Sequence, residues 1–389
     1  MKIGIISPAY LPIPPKKYGG TERVIYYLIK GLRELGHTLI LFGPADSEVD
    51  CEIIPIIDKA TGFSQNSEED KMLSIKRNEA LKKAYTEVEK NKHRFDILHS
   101  HGIDIKQFSQ IPHLFTLHLE LVLSDPANRS RELKYFKERE NLFYNTISYN
   151  ALETFQNLNV VSTVYNGLDP QEFPFVETPQ NYYCFIGRFN PDKNPHQAIE
   201  LAIEKKKKIK IAAKYEYVDD RYYKEKCLPL LNNEFVEDTT EQNNLGKIEI
   251  ISNAEVNLHP TNFREPFGLT VMESAYCGTP TLAVRKGSMS ELIEDGKSGV
   301  LVEDFTQGYF EVDKCRDLDR KYIAERSRRK FNYKVMAKQY ELTYQNITKI
   351  YKDNINNNKH KLPKYLEESR AGVSSLYNNI TRNNLFFNL

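Results

Sequence analysis

Glu265-Pro266-Phe267-Gly268-Leu269-Thr270-Val271-Met272-Glu273, followed at once by Ser274-Ala275-Tyr276-Cys277-Gly278-Thr279-Pro280, reads as a loop feeding a helix. Pro266 biases Glu265 towards extended backbone and Phe267-Gly268 turns the chain. Leu269 to Tyr276 then carries helix formers until Gly278 and Pro280 stop them. A helix start of this kind presents amides without intrahelical acceptors at the positive end of a dipole, which suits phosphate. Phe267, Gly268, Leu269 and Thr270 are therefore candidate binding residues. A carboxylate is a poor neighbour for phosphate. Glu265 and Glu273, which bracket the anion seat, should instead accept hydrogen bonds from hydroxyls, as ribose and hexose recognition require. The combination points to a nucleotide sugar.

The same run, Glu265 to Pro280, closely resembles the signature of the retaining glycosyltransferase family 4, which has the GT-B fold. The resemblance implies two Rossmann-like, doubly wound α/β domains facing a cleft, with C-terminal helices closing back on the first. It places Glu265 near the transferred sugar and Glu273 on the ribose hydroxyls. It is densest between Gly187 and Gly299, where Gly287-Ser288-Met289-Ser290-Glu291 and Asp295-Gly296-Lys297-Ser298-Gly299 also match.

At 389 residues the chain exceeds the length at which one hydrophobic core usually stops growing, so two domains are expected. Its 54 basic and 53 acidic residues nearly cancel, which offers no global field for nucleic acid or an anionic membrane. The five cysteines lack the paired spacing of a zinc site or a disulfide framework and read as reduced, buried thiols. The N-terminal apolar stretch Ile3 to Ile6 is too short for a signal sequence and no long apolar window follows, so a cytoplasmic protein is expected.

Ile3 to Ser7 reads as a buried strand, Thr21 to Leu35 as a helix with an apolar stripe through Val24, Tyr27, Leu28 and Leu32, and Thr38 to Phe42 as the next strand. That order builds a parallel sheet. Short apolar segments ending at Ser100, His118, Ser148 and Val164 continue it, and a second series begins at Tyr182 and passes through Ile209–Ala213, Val256–His259 and Thr281–Val284. The resulting division is 1–175 for an acceptor-side domain, 176–335 for a nucleotide-sugar domain, 336–352 for a helix returning to the first domain and 353–389 for a tail of unassigned role. Arg320 to Tyr351 has helical spacing, and Asp353-Asn354-Ile355-Asn356-Asn357-Asn358 reads as a linker.

Gly187-Arg188-Phe189-Asn190-Pro191-Asp192-Lys193-Asn194 follows a predicted strand and sets two cations in one loop on the cleft wall. Arg188 offers a planar fork and Lys193 a mobile point charge, so together they can clamp a diphosphate and offset the charge on a departing nucleotide without a metal or other cofactor. The loop also matches the family's phosphate-binding segment. Tyr18-Gly19-Gly20-Thr21 joins the first strand to the first helix, and Thr21 can cap that helix. It lacks the pattern of a P-loop or a dinucleotide site, but fits the family's glycine-rich first loop near the donor phosphates and the acceptor, which makes Gly19 and Gly20 donor-side candidates. Lys16 and His101 are acceptor-side candidates. The resemblance gives His118 a contact with a sugar hydroxyl, whereas His99 reads as structural and His259-Pro260 as shaping the loop before Glu265. Lys205 to Lys208 reads as the solvated end of a helix. The run Arg326-Ser327-Arg328-Arg329-Lys330 would serve a weak peripheral contact with anionic lipid if the acceptor is a glycolipid.

These residues imply transfer of a hexose from a UDP-, GDP- or ADP-linked donor to a hydroxyl of a glycan, glycolipid or small molecule. Arg188, Lys193, Glu265 and His118 are the candidate catalytic residues. Retention follows from the resemblance. No nucleophile stands opposite the leaving group, so same-face attack through an oxocarbenium-like state is expected, the leaving phosphate taking the acceptor proton. A nucleotide-sugar epimerase or hydrolase of the same fold, and a non-catalytic nucleotide-sugar-binding protein, are the rival readings. The family's acidic or glycine-rich loop after Ile209–Ala213 is here Lys214-Tyr215-Glu216-Tyr217, which leaves the base contacts open.

Overall fold

The computed structural model describes residues 1–101, 111–118, 142–155 and 158–356. Strands β1 (Lys2–Ile6), β2 (Thr38–Pro44), β3 (Glu52–Ile57), β4 (Ile97–His101), β5 (His113–Leu117), β6 (Leu142–Thr146) and β7 (Val160–Thr163) form one sheet. Strands β8 (Tyr182–Arg188), β9 (Lys208–Lys214), β10 (Val236–Asp238), β11 (Val256–His259), β12 (Thr281–Val284) and β13 (Gly299–Val302) form the second. Every pairing is parallel, in the orders β3-β2-β1-β4-β5-β6-β7 and β10-β9-β8-β11-β12-β13. Parallel strands need crossovers that cover both faces, which is why their sequences run almost continuously apolar: Ile3, Ile5, Leu41, Ile97 and Leu114 are wholly buried in the first sheet, as are Ile209, Ile211 and Leu282 in the second.

Chain order reverses between β1 and β4 in the first sheet and between β8 and β11 in the second. Open α/β sheets leave a crevice at such a point, beyond the C-terminal strand ends. The loops there are the β1 loop ending at Gly19, the β8 loop carrying Arg188 to Asn194, and the β11 loop carrying His259 to Gly268. The three sequence stretches expected to hold the donor therefore converge by topology.

The last helix, Tyr333–Asn356, packs on the Gly20–Glu34 helix and on the first sheet. Its Tyr344 hydroxyl lies 2.7 Å from His99 Nδ1, and its Tyr340 hydroxyl lies 3.0 Å from Thr116 Oγ1 and from Asn145 Nδ2. It begins at Tyr333 rather than 336 and runs on as far as Asn356, into the Asn-rich stretch that composition marks as a linker. The tail beyond it lies outside the described residues. The span from Arg320 holds two helices, because the chain bends at Phe331-Asn332, where Asn332 bridges to Leu168 of the first domain.

The basic run Arg326 to Lys330 does not form an outward basic face. Arg326 donates to Leu292 O, Arg328 to Tyr276 O and Phe173 O, and Lys330 to Glu291 O. Burial lowers the Lys330 pKa to about 8. These cations serve carbonyls within the fold. The Lys205–Lys208 run likewise turns from helix into β9, with Lys205 paired to Asp313 and Lys207 to Glu255. Among the described residues no helix is long and apolar enough to cross a membrane.

Candidate active site

Leu269–Tyr276 is a helix with the bounds its sequence dictates. Gly268 caps its start at φ 93°, and Gly278 leaves its end at φ 83°. Gly287 of the following loop, at φ 60°, lies so close to the Glu265 backbone that a Cβ would overlap it. Ser288 N–H donates to Glu265 O at 2.9 Å and its hydroxyl donates to Phe267 O. The Glu265–Gly268 turn is thus fixed from beneath by the Gly287-Ser288 segment.

Lys193 and Glu265 form an ion pair, their side chains 14% and 13% exposed. The β8 loop reaches Glu265 because Asn190 accepts from Lys193 N–H at 2.9 Å and Asn262 N–H donates to Asp192 O at 2.8 Å. Burial pushes the Glu265 pKa up, but Lys193, His259 and Arg188 together outweigh it and hold the carboxyl below its usual range. His259 Nε2 lies 3.9 Å from the same carboxylate. Burial, then Lys193, lower the His259 pKa to about 4, so the ring is neutral near pH 7. His259 is therefore a near neighbour of Glu265.

Arg188, at the end of β8, places Nη1 3.1 Å from Glu216 Oε2, while Glu216 Oε1 accepts from Lys214 Nζ at 2.7 Å. Glu273 is buried, with Oε1 2.5 Å from Lys247 Nζ of the Asn244–Asn253 helix and Oε2 without a partner. Both glutamates expected to accept from hydroxyls thus carry a lysine here. Low exposure favours pairing a carboxylate with an ammonium, and β9 and the Asn244–Asn253 helix supply groups that a linear reading does not bring to the site.

Gly20 of the first domain abuts Leu269, where a Cβ would come within 3.2 Å of Leu269 Cδ1. The helix starts at Gly20 with Gly19 as its cap, so Thr21 lies inside the first turn and does not cap it. Tyr18, just before, feels the charges of Arg188, Glu265 and Glu216, and burial raises its pKa. Lys214 Nζ lies 3.1 Å from the Phe63 ring centre and 5.5 Å from that of Tyr18, linking the two domains across the cleft. Lys16 is exposed. Phe267 is a core residue, packing its ring 6.1 Å from Tyr165 and 5.9 Å from Phe331, so its side chain does not line the site. Leu269 and Thr270 are half-buried at the helix start.

The described contacts of His118 and His101 stay in the first domain. His118 Nε2 lies 2.8 Å from His101 Nδ1, and the His101 ring lies tilted at 41° against His99 with centres 4.1 Å apart. Burial alone lowers the His118 pKa to about 4, and burial likewise holds His101 well below its usual value.

A family model for glycosyltransferase family 4 matches residues 18–172 and one for group 1 glycosyl transferases matches residues 170–310. The chain belongs to this glycosyltransferase family. An uncharacterized glycosyltransferase of Methanocaldococcus jannaschii is 26% identical over 54% of this chain, which spans 61% of that relative. A glycogen synthase of Mycobacterium tuberculosis is 24% identical over 77% of this chain and 82% of its own length. Among solved structures, AviGT4, a glycosyltransferase involved in avilamycin A biosynthesis, superposes with a TM-score of 0.66 at 16% identity, covering 89% of this chain and 98% of its own. Anabaena HepE in complex with UDP-glucose superposes with a TM-score of 0.65 at 15% identity, covering 89% and 100%. At these identities the structural likeness establishes the GT-B fold alone. In this glycosyltransferase the residues that sequence reading missed are Glu216, Lys214 and Lys247. For Lys214 and Glu216 the linear signal was the departure at Lys214-Tyr215-Glu216-Tyr217; Lys247 carried none.

Proposed function

We propose that the chain transfers a hexose from a nucleotide diphosphate sugar to an acceptor hydroxyl with retention at the anomeric carbon, and needs no metal. The observation that carries this reading is the convergence of Arg188, Lys193 and Glu265 at the start of the Leu269–Tyr276 helix, on the crevice where chain order reverses. Arg188 and Lys193 would take the diphosphate oxygens and the helix amides would share the load, stabilising charge as the nucleotide leaves. Glu265, released from Lys193, would accept a hydroxyl of the transferred sugar, and Glu273 a hydroxyl of the ribose. With no carboxylate assigned as nucleophile, the leaving phosphate takes the acceptor proton on the same face. Domain closure over the donor would keep water from competing with the acceptor. The complexes of HepE with UDP-glucose and of Arabidopsis starch synthase IV with ADP and acarbose support a nucleotide-linked donor.

The test is a thermal-shift series with UDP-, GDP- and ADP-sugars on wild type and Arg188→Ala, since a ligand of the native state raises the melting temperature. A shift from one nucleotide series, lost in Arg188→Ala, is the expected result. NMR of the product's anomeric proton tests retention, and turnover in EDTA tests metal independence. Hydrolysis or epimerisation without an acceptor would favour the epimerase or hydrolase reading. Tight donor binding without turnover would favour a binding protein.

A further inference from the structure

Glu216 stands in the loop where this sequence departs from its family, and it holds the arginine that the reaction needs. Its Oε2 lies 3.1 Å from Arg188 Nη1 and its Oε1 lies 2.7 Å from Lys214 Nζ, so one carboxylate bridges two cations. Arg188 Nε is buried without a partner, leaving part of the fork unused. Lys214 in turn rests against Phe63 and Tyr18 of the first domain.

We propose that Glu216 is a built-in competitor for the donor diphosphate: it occupies the Arg188 guanidinium in the empty site, yields it to the diphosphate and takes it back as the nucleoside diphosphate leaves. The proposal rests on the reading of Arg188 as a phosphate ligand. Carboxylate and phosphate oxygens seek the same planar N–H donors, and two anions on one guanidinium repel each other. Glu216 stays anionic: burial opposes its charge, but Lys214 and Arg188 outweigh burial and lower its pKa. Release from Arg188 is not prohibitive, because Lys214 keeps the carboxylate compensated as the guanidinium turns away. The benefit falls at the end of turnover. A bare Arg188 and Lys193 pair would hold the leaving nucleotide strongly, and product release limits turnover in many enzymes. A resident carboxylate lowers that affinity without touching the sugar subsite.

Calorimetric titration of UDP, GDP and ADP into wild type, Glu216→Gln, Glu216→Ser, Arg188→Ala and the Glu216→Gln/Arg188→Ala pair tests this. The Gln variant keeps the shape and removes the charge. We expect it to bind the preferred nucleoside diphosphate about three- to tenfold more tightly, with a slower off-rate in stopped flow, the size of one charge interaction in a partly exposed site. In the Arg188→Ala background the gain should vanish. Weaker binding in both Glu216 variants would overturn the proposal and make Glu216 a residue that positions the arginine, and so would unchanged binding. If Arg188→Ala binds as wild type does, or if none of the three nucleotides binds wild type or Glu216→Gln, the phosphate reading beneath the proposal fails instead.

Discussion

At the scale of single residues, Glu273 allows structure to be separated from binding. Its side chain is 2% exposed and Lys247 is its ionic partner. Removing one member of a buried pair strands the other charge, although Lys247, whose pKa burial already lowers, sheds part of that cost by losing its proton. Glu273→Ala is expected to lower the unfolding free energy by about 2–4 kcal/mol and to raise the KM for the donor. Adding Lys247→Met should return most of the stability and none of the donor affinity. Urea denaturation and donor KM measured on both variants check the split, and a double variant with wild-type KM would remove Glu273 from the binding site. Glu22 gives a prediction in pH. It is buried in the first turn of the Gly20–Glu34 helix, and burial raises its pKa from 4.5 to about 7. Between those values the folded chain keeps a proton that the unfolded chain has released, so stability falls as pH rises through the window and levels off above it. Glu22→Gln should therefore raise the melting temperature at about pH 8 and hardly at all at about pH 4. An equal gain at both pH values would show that the carboxyl does not titrate late.

At the scale of elements, what was legible in the sequence was local. The Leu269–Tyr276 helix was readable to the residue because two glycines with left-handed backbone, Gly268 and Gly278, bound it. Most strands could be placed from their apolar runs, but β3, β10 and β13 were not, and the Ser67–Asn91 helix escaped because its buried stripe is only Leu73, Ala80, Ala84 and Val88 amid charge. Strand β10 has three residues, and the bend at Phe331-Asn332 is set by the contact with Leu168 rather than by a local breaker. The ion pairs at the site were illegible for the same reason. Glu216, Lys247 and His259 come from separate elements that only the sheet order brings together. The Gly287-Ser288 segment beneath the Glu265 turn makes a test of this scale. A Cβ at Gly268 would meet the movable Met289 Cε at 2.7 Å, while one at Gly287 would meet backbone. Gly268→Ala should cost about 1–2 kcal/mol, the strain of a left-handed residue, and Gly287→Ala more than that, with loss of donor binding. Chemical denaturation ranks the two. The reverse order would mean that the Gly287 loop moves away freely.

At the scale of the whole molecule, the halves share one apolar cluster and are tied besides by specific polar groups. Glu291, from the short Met289–Leu292 helix of the second domain, accepts from Tyr149 N–H at 2.9 Å, Asn150 N–H at 2.7 Å and the Tyr165 hydroxyl at 2.8 Å. The first two are amides of the first turn of the Tyr149–Thr154 helix, where a carboxylate suits the dipole. Arg264, next to Glu265, reaches the same helix through Asn150 at 2.9 Å and Glu153 at 2.7 Å. The residues that tie the domains are thus neighbours of Glu265 and of the Gly287-Ser288 segment beneath it. Glu291→Gln replaces a bidentate acceptor with an amide whose NH2 must face one of the two N–H donors. It is expected to widen the cleft, seen as a larger radius of gyration by small-angle scattering without donor, and to raise donor KM more than it lowers kcat. Tyr344→Phe is the contrasting variant. It strips His99 Nδ1 of its partner inside the layer between the last helix and the first sheet, which should cost about 1–3 kcal/mol with no change in radius. A Glu291→Gln protein with the wild-type radius would place the hold between the domains in that last helix, and Tyr344→Phe would then be the variant that opens them.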